Sequence, residues 1–140
     1  MSFSHPHPPF TIDEAHWALY DHDAIDAPMV PAIPVAERDE QSRWLHASHR
    51  ADRQLVSEAH LRNARHAYYG MVSYVDDKVG RLRCALEACG LAEDTIVVFA
   101  SDHGEMLGER GMWYKQTFFE PSSRVPLIVH RPRQFAPRRV

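Results

Sequence analysis

Several features that would assign this chain to a specialised class of protein are scarce or missing. Its two cysteines, Cys84 and Cys89, lie close together in a helical pattern, which argues against a disulfide framework. No apolar run approaches the roughly 18 residues of a membrane span, and the first residues lack the pattern of a signal peptide. We therefore expect a protein of a reducing compartment, with the cytoplasm as the default, and no membrane partner.

The composition that is present is typical of one globular domain. The chain has 140 residues, of which 44% are hydrophobic and 25% charged, and its net charge of −3 gives no overall attraction to nucleic acid. Four arginines form a basic tail, namely Arg131, Arg133, Arg138 and Arg139. Prolines interrupt this tail and no aromatic platform accompanies it, so we predict no nucleic-acid partner.

The spacing of apolar residues predicts one long helix and two shorter ones. Apolar positions three and four residues apart extend from about Ser57 to Cys89, and Gly90 is a suitable residue to end that helix. Shorter helical patterns cover about 11–20 and 37–49. The proline-containing stretch 21–36 between them is predicted to be a long irregular loop.

Short apolar runs predict strands of a parallel sheet. The runs at 95–100 and 126–130 lack alternation, as buried strands do, and Phe3-Ser4 resembles the end of another strand. Together with the long helix they indicate an α/β fold with a parallel sheet and flanking helices. A parallel sheet needs more strands than these, so we expect a fragment of a larger α/β enzyme, cut at both ends.

The residues after the 95–100 run carry the clearest chemical signal. Asp102 offers a carboxylate oxygen and His103 an imidazole nitrogen, both usable on a divalent ion at the end of a strand. Gly104 allows a sharp turn, and Lys115 can return across the loop to hold a tetrahedral oxyanion. A metal held there acts as a Lewis acid on a phosphoryl or sulfuryl oxygen. Spacing alone leaves open that Asp102 only caps a turn and that Lys115 is a surface charge.

Histidine is abundant, with ten residues in the chain. His46 and His49 are three positions apart on a predicted helix and could chelate a metal weakly. No third ligand lies near them in sequence, so a solvated polar face is the preferred interpretation. The same interpretation applies to His60 and His66 on the long helix.

His7 differs from the other histidines because prolines surround it. The segment Pro-His-Pro-Pro forms a rigid frame just after a predicted strand end. A histidine held there could protonate a leaving-group oxygen as a general acid, although an exposed loop histidine is the alternative. Glu105 and Arg110, in the loop after Asp102, are either partners of the metal loop or solvated side chains.

Four segments in a fixed order resemble the formylglycine-dependent sulfatases of the alkaline phosphatase superfamily. They are Ser2–His7, Tyr68–Gly80, Thr95–Gly104 with the following Gly108 and Lys115, and Arg124–His130. The likeness is greatest to the choline-sulfatase branch and covers nearly the whole chain, with 21–56 the least diagnostic stretch. It implies a partial sulfatase-like sheet with flanking helices.

The resemblance also implies a role for each matched residue. Asp102 and His103 would bind a divalent cation, usually calcium. Lys115 would contact the sulfate ester near its leaving oxygen, and His7 would lie on the same side and assist departure of the leaving group. The small-molecule substrate would be choline-O-sulfate, giving choline and sulfate. A phosphonate or phosphate monoester hydrolase is the alternative, because sulfuryl and phosphoryl groups use similar clamps.

The chain also departs from the family pattern. Neither cysteine lies in the Cys-x-Pro-x-Arg segment whose cysteine becomes the formylglycine nucleophile, and in the partly similar segment 119–124 Phe119 occupies that position. The Asp76-Asp77 pair lies in the long helix and is interpreted as structural. We therefore expect residues 1–140 to be one fragment of a sulfatase-type catalytic domain, without its nucleophile segment and C-terminal part and inactive alone. A pseudoenzyme, or a subunit completed by an oligomer partner, is the other alternative.

Overall fold

Helices dominate the part of the chain that the computed structural model describes, which is residues 1–50, 56–131, 135–136 and 138–139. The elements are α1 (Glu14–Trp17), α2 (Glu40–Ser48), α3 (Glu58–Ala88), β1 (Val97–Ala100), α4 (Glu120–Ser123) and β2 (Leu127–His130). Single 3-10 turns lie at His22–Ala24, Val35–Glu37, Ala92–Asp94 and Glu109–Gly111. Arg133 of the basic tail lies outside the described residues.

The long helix α3 confirms the prediction made from apolar spacing. Ser57 begins it, since its hydroxyl oxygen accepts a hydrogen bond from the backbone N–H of His60 at 3.2 Å. Cys89 is its C-cap, and Gly90 follows with a left-handed φ of 68°, the conformation that glycine adopts at low cost. The buried residues of α3 all lie in its first 18 positions, from Arg65 to Val75, so the second half of the helix is poorly covered.

Helix α1 packs across α3 at a glycine. A Cβ on Gly70 would lie 3.1 Å from the backbone oxygen of His16, so only glycine allows this close approach without a shift. The Tyr20 hydroxyl lies 2.6 Å from the Ser73 hydroxyl and adds a second contact to this face.

His66 contradicts the prediction of a solvated polar face. Its side chain is fully buried, its ring stacks on Trp17 with 3.6 Å between the centroids, and its Nε2 lies 2.9 Å from the Trp17 backbone oxygen. The prediction was wrong because stacking and hydrogen bonding satisfy the imidazole inside the core. His46 is also buried, at 2% exposure, whereas His60 is exposed as expected.

The core joins the first half of α3 to the loop between the two strands. Three methionines of this core are almost completely buried, Met71 on α3 and Met106 and Met112 on the loop. Their flexible thioether side chains fill irregular space well. The core therefore holds the loop that carries the predicted site against the longest helix.

The two strands pair with each other, but not as predicted. β1 and β2 are antiparallel, with Val98 opposite Val129 and Ala100 opposite Leu127. The parallel pairing that we expected was wrong for these strands because the connecting residues 101–126, which contain a 3-10 turn and the short helix α4, return to the same end of the pair. Parallel strands need a crossover along the sheet instead. No strand forms at Phe3-Ser4. The mixed helix and strand content still fits part of an α/β domain.

The strand pair leaves apolar side chains uncovered. All four residues of β2 are exposed, and Val98 of β1 is 59% exposed. Phe118, in the connecting loop, is completely exposed as well. Among the described residues no helix is long and apolar enough to cross a membrane.

Candidate functional site

The loop after β1 is held in place by the segment around α4. The backbone N–H of Gly104 donates to the Ser122 oxygen at 2.7 Å, and that of Glu105 donates to the Pro121 oxygen at 2.8 Å. A Cβ on Gly104 would come within 2.0 Å of the Pro121 oxygen, so the backbones meet only because this residue is glycine. The segment that partly resembles a nucleophile motif thus supports the turn that follows Asp102.

Asp102 and His103 place two metal-binding atoms near each other at the end of β1. The Nδ1 atom of His103 lies 2.7 Å from the Gly104 backbone oxygen, so Nδ1 carries the hydrogen and Nε2 keeps a lone pair. That Nε2 atom lies 3.7 Å from Oδ2 of Asp102. The Asp102 side chain is 89% exposed and that of His103 33% exposed, so both are accessible.

These two residues fit part of a divalent cation site. A histidine whose second nitrogen donates to a backbone oxygen is the usual form of a metal-binding histidine, and a carboxylate suits hard cations. Calcium prefers about six to eight oxygen ligands. Within the described residues, no group of three or more His, Cys, Asp or Glu side chains could hold a metal ion. A complete site therefore needs ligands beyond this pair.

His7 and Lys115 meet although 108 positions separate them in sequence. Nδ1 of His7 lies 2.8 Å from the Pro8 backbone oxygen and donates to it, which leaves Nε2 as an acceptor. The Lys115 ammonium nitrogen lies 3.2 Å from this Nε2 atom. Both residues line an open cavity of about 490 Å³, together with Pro8, Pro9, Tyr114 and Gln116.

Glu105 is a buried carboxyl whose pKa is influenced by one residue of each pair, His103 and Lys115. Its side chain is only 9% exposed, and this burial raises its pKa. Hydrogen bonds from the backbone N–H groups of Leu107 and Tyr114, and the charges of Lys115 and His103, oppose the rise in pKa. Glu105 is thus a partner of the loop and not a solvated side chain.

Two further side chains of this region, Tyr68 and Arg110, are affected by their surroundings. Burial, with the nearby Glu105 charge, raises the pKa of Tyr68 to about 12, so its hydroxyl stays protonated. The Arg110 guanidinium lies 4.5 Å above the centre of the Phe119 ring, a cation–π contact. Arg110 therefore packs on the residue that precedes α4.

Sequence reasoning missed the charged pair that anchors the loop to α3. Glu109 is buried and accepts hydrogen bonds from the backbone N–H groups of Met29 at 2.9 Å and Val30 at 2.8 Å. Arg65 lies 3.7 Å from Glu109 and donates to the Leu107 oxygen at 3.0 Å. One feature of the sequence could have indicated this pair: the charged Arg65 lies next to His66 in the half of α3 whose residues are buried.

Arg65 also holds the loop that precedes α2. It lies 2.5 Å from Oδ2 of Asp26, whose other carboxylate oxygen accepts a hydrogen bond from the Tyr69 hydroxyl at 2.6 Å. Burial raises the pKa of Asp26, but the Tyr69 hydrogen bond and the Arg65 charge outweigh it, so the net pKa is lowered. One arginine of α3 therefore connects both irregular loops.

Comparisons with known proteins agree with the resemblance to the sulfatases that four sequence segments indicate. The Sulfatase family model matches residues 1–140. Choline-sulfatase from Rhizobium meliloti (strain 1021) is 42% identical over 132 residues, which are 94% of this chain and 26% of that protein. Iduronate 2-sulfatase from Mus musculus is 33% identical over an alignment of 147 positions, gaps included, that covers 98% of this chain and 27% of that protein.

The fold has relatives among solved structures. A phosphonate monoester hydrolase from Silicibacter pomeroyi superposes with a TM-score of 0.71 at 26% identity, covering 91% of this chain and 27% of that one. The chain thus spans about a quarter of the length of these relatives, in agreement with the expectation of a fragment of a larger domain. The α/β fold of part of a sulfatase-like domain is confirmed. This chain belongs to the sulfatase family of hydrolases.

Proposed function

We propose that residues 1–140 form the part of a sulfatase-type catalytic domain that binds the leaving-group side of a sulfate ester. The nucleophile segment and the C-terminal part of such a domain lie outside this chain, which we expect to be inactive alone. The contact between His7 and Lys115 is the observation that carries the proposal. Two residues far apart in sequence converge on one cavity.

The chemistry of that contact suits a tetrahedral anion. The Lys115 ammonium and the His7 ring both face a cavity of about 490 Å³, and an anion that enters it offers each of them an acceptor. Lys115 would hold a sulfuryl oxygen as a point charge. His7, once protonated, would donate its Nε2 proton to the leaving oxygen as a general acid.

Asp102 and His103 would supply two ligands of a divalent cation, for which calcium is our proposal. When bound, such an ion supplies Lewis-acid stabilisation of a sulfuryl oxygen. A formylglycine nucleophile would have to come from outside this chain, since neither Cys84 nor Cys89 lies in a Cys-x-Pro-x-Arg segment. Both cysteines are free, exposed thiols. Free thiols are typical of a reducing compartment, so we propose the cytoplasm as the location.

Choline-O-sulfate is the substrate that we propose, because a choline-sulfatase is 42% identical to this chain. The TM-score of 0.71 to a phosphonate monoester hydrolase supports that activity as the second candidate. A non-catalytic subunit is the third. Translating the DNA upstream of Met1 for a strand ending in Asp-Asp, followed by Cys-x-Pro-x-Arg, separates the third candidate from the first two.

The activity test uses the chain joined to such an upstream segment. We expect sulfate release from choline-O-sulfate to exceed hydrolysis of a phosphonate monoester, and Lys115→Ala to lower kcat by about 100-fold because one oxyanion donor is lost. The isolated chain is the negative control. Faster turnover of the phosphonate monoester would establish the second candidate, and an unchanged kcat in Lys115→Ala would contradict the role of Lys115.

A further inference from the structure

Lys115 lies between two residues with left-handed backbones. The φ angle of Tyr114 is 68° and that of Gln116 is 77°. For a residue with a side chain this conformation is unfavourable, and it persists only where surrounding groups hold it. Groups near the turn must therefore keep Lys115 in the conformation that reaches His7.

Hydrogen bonds hold the backbone of this turn from two sides. On one side, the buried Glu105 carboxylate accepts a hydrogen bond from the Tyr114 N–H, and the Met106 N–H donates to the Tyr114 oxygen at 2.8 Å. On the other side, Nε2 of His49 lies 2.5 Å from the Lys115 backbone oxygen. His49 is the C-cap of α2, so it links that helix directly to the turn.

The His49 ring lies between two groups of backbone and side-chain atoms. Its Nδ1 atom lies 2.8 Å from the Leu45 oxygen and 3.2 Å from the Ser48 hydroxyl, while Nε2 faces the Lys115 oxygen. A carbonyl oxygen only accepts hydrogen bonds, so Nε2 donates its hydrogen to the Lys115 oxygen.

We propose that His49 is a positioning residue, which holds the left-handed turn through the Lys115 backbone oxygen and so directs the Lys115 ammonium toward His7. The relevance of this contact rests on the proposed function of Lys115 and His7. The geometry itself does not, because it can be measured without any turnover.

The test observes the imidazole nitrogens of this chain by NMR, with His49→Leu and His49→Gln as the variants. In the unchanged chain we expect a proton on Nε2 of His49 and a His7 Nε2 shift typical of an acceptor. His49→Leu should lower the population of the His7–Lys115 contact about tenfold, since one hydrogen bond to the turn is lost. His49→Gln should retain most of it, because its amide can still donate to the Lys115 oxygen.

The exposed His60 of α3 provides the matched control, and His60→Leu should leave the His7 signal unchanged. An unchanged His7 signal in a folded His49→Leu chain would overturn the proposal. If His49→Leu does not fold, His49→Gln decides, together with the Nε2 proton of His49; the absence of a proton on Nε2 would also overturn the proposal. In the joined enzyme, loss of the contact with unchanged kcat would reject the function of Lys115 and His7 and leave the positioning role intact.

Discussion

Glu105 is the residue at which the loop combines burial with charge. Its carboxyl is almost inaccessible, yet its oxygen receives the backbone N–H of Tyr114 beside Lys115. Burial is the largest influence on its pKa and raises it, although the surrounding N–H groups and positive charges limit the rise. Ionising this group in the folded chain therefore costs more than ionising it in the unfolded chain.

The raised pKa of Glu105 predicts a pH-dependent loss of stability. Its contribution is fully present below its ordinary pKa of 4.5 and is lost as the pH rises through the higher pKa of the folded chain. Glu105→Gln stays neutral and keeps an acceptor oxygen, so the stability of the variant relative to the parent should increase over that pH range. Urea unfolding of both proteins between about pH 4 and pH 8 measures this difference.

Asp13 and Asp39, whose pKa values are lowered by hydrogen bonds from His16 and Ser42, provide the internal control. Both are present in the parent and in the variant, so their effects cancel in the difference. A difference in stability that does not change with pH would mean that burial does not control the ionisation of Glu105.

At the scale of elements, α3 anchors the two irregular loops that approach the site. Arg65 contacts Asp26 in one loop and Glu109 in the other, and its side chain is 8% exposed. Glu109 in turn receives the backbone of residues 29 and 30. Removing one partner of a buried pair leaves the other charge uncompensated, which costs more than the pair itself contributes.

Arg65→Met should therefore lower the free energy of unfolding by about 3 kcal/mol. Methionine keeps much of the side-chain volume, so the loss reports the charge and not a cavity. The control is Arg81→Met, because Arg81 is 72% exposed and pairs with Asp77 four residues earlier on the same helix. That exposed pair should contribute about 0.5 kcal/mol or less. Equal losses in the two variants, measured by urea unfolding, would show that Arg65 is not an anchor.

At the scale of the whole molecule, the strand pair presents an apolar surface with little cover. Val98 is 59% exposed, Ile128 57% and Leu127 69%. Exposed apolar strands with free edges attract other strands.

We expect the isolated chain to self-associate through this surface. Val98→Lys places a charge on the exposed face of β1 and should reduce association by about tenfold, since a buried charge without a partner is unfavourable. Sedimentation velocity over a tenfold range of protein concentration measures the effect. Leu19→Lys is the control, because Leu19 is similarly exposed, at 62%, but lies outside the sheet. A monomeric parent chain, or an equal effect of both variants, would contradict the prediction.

Local patterns were sufficient to predict most of the elements. The bounds of α3 follow from its apolar spacing and from its caps at Ser57 and Cys89, which depend only on nearby residues. The strands at 97–100 and 127–130 follow from short apolar runs. Their antiparallel pairing could not be predicted from local patterns, because the direction of pairing depends on the end of β1 to which the connecting residues lead the chain back.

By itself, the sequence determined the family, the long helix and the residue types able to carry the chemistry. These properties depend on residues that are adjacent or regularly spaced, such as Asp102 and His103 after β1. Only the tertiary structure decided that His7 meets Lys115, that His66 is buried and that His49 contacts the Lys115 turn. Those contacts join residues far apart in the chain, so they exist only once helices and loops have packed together and excluded water.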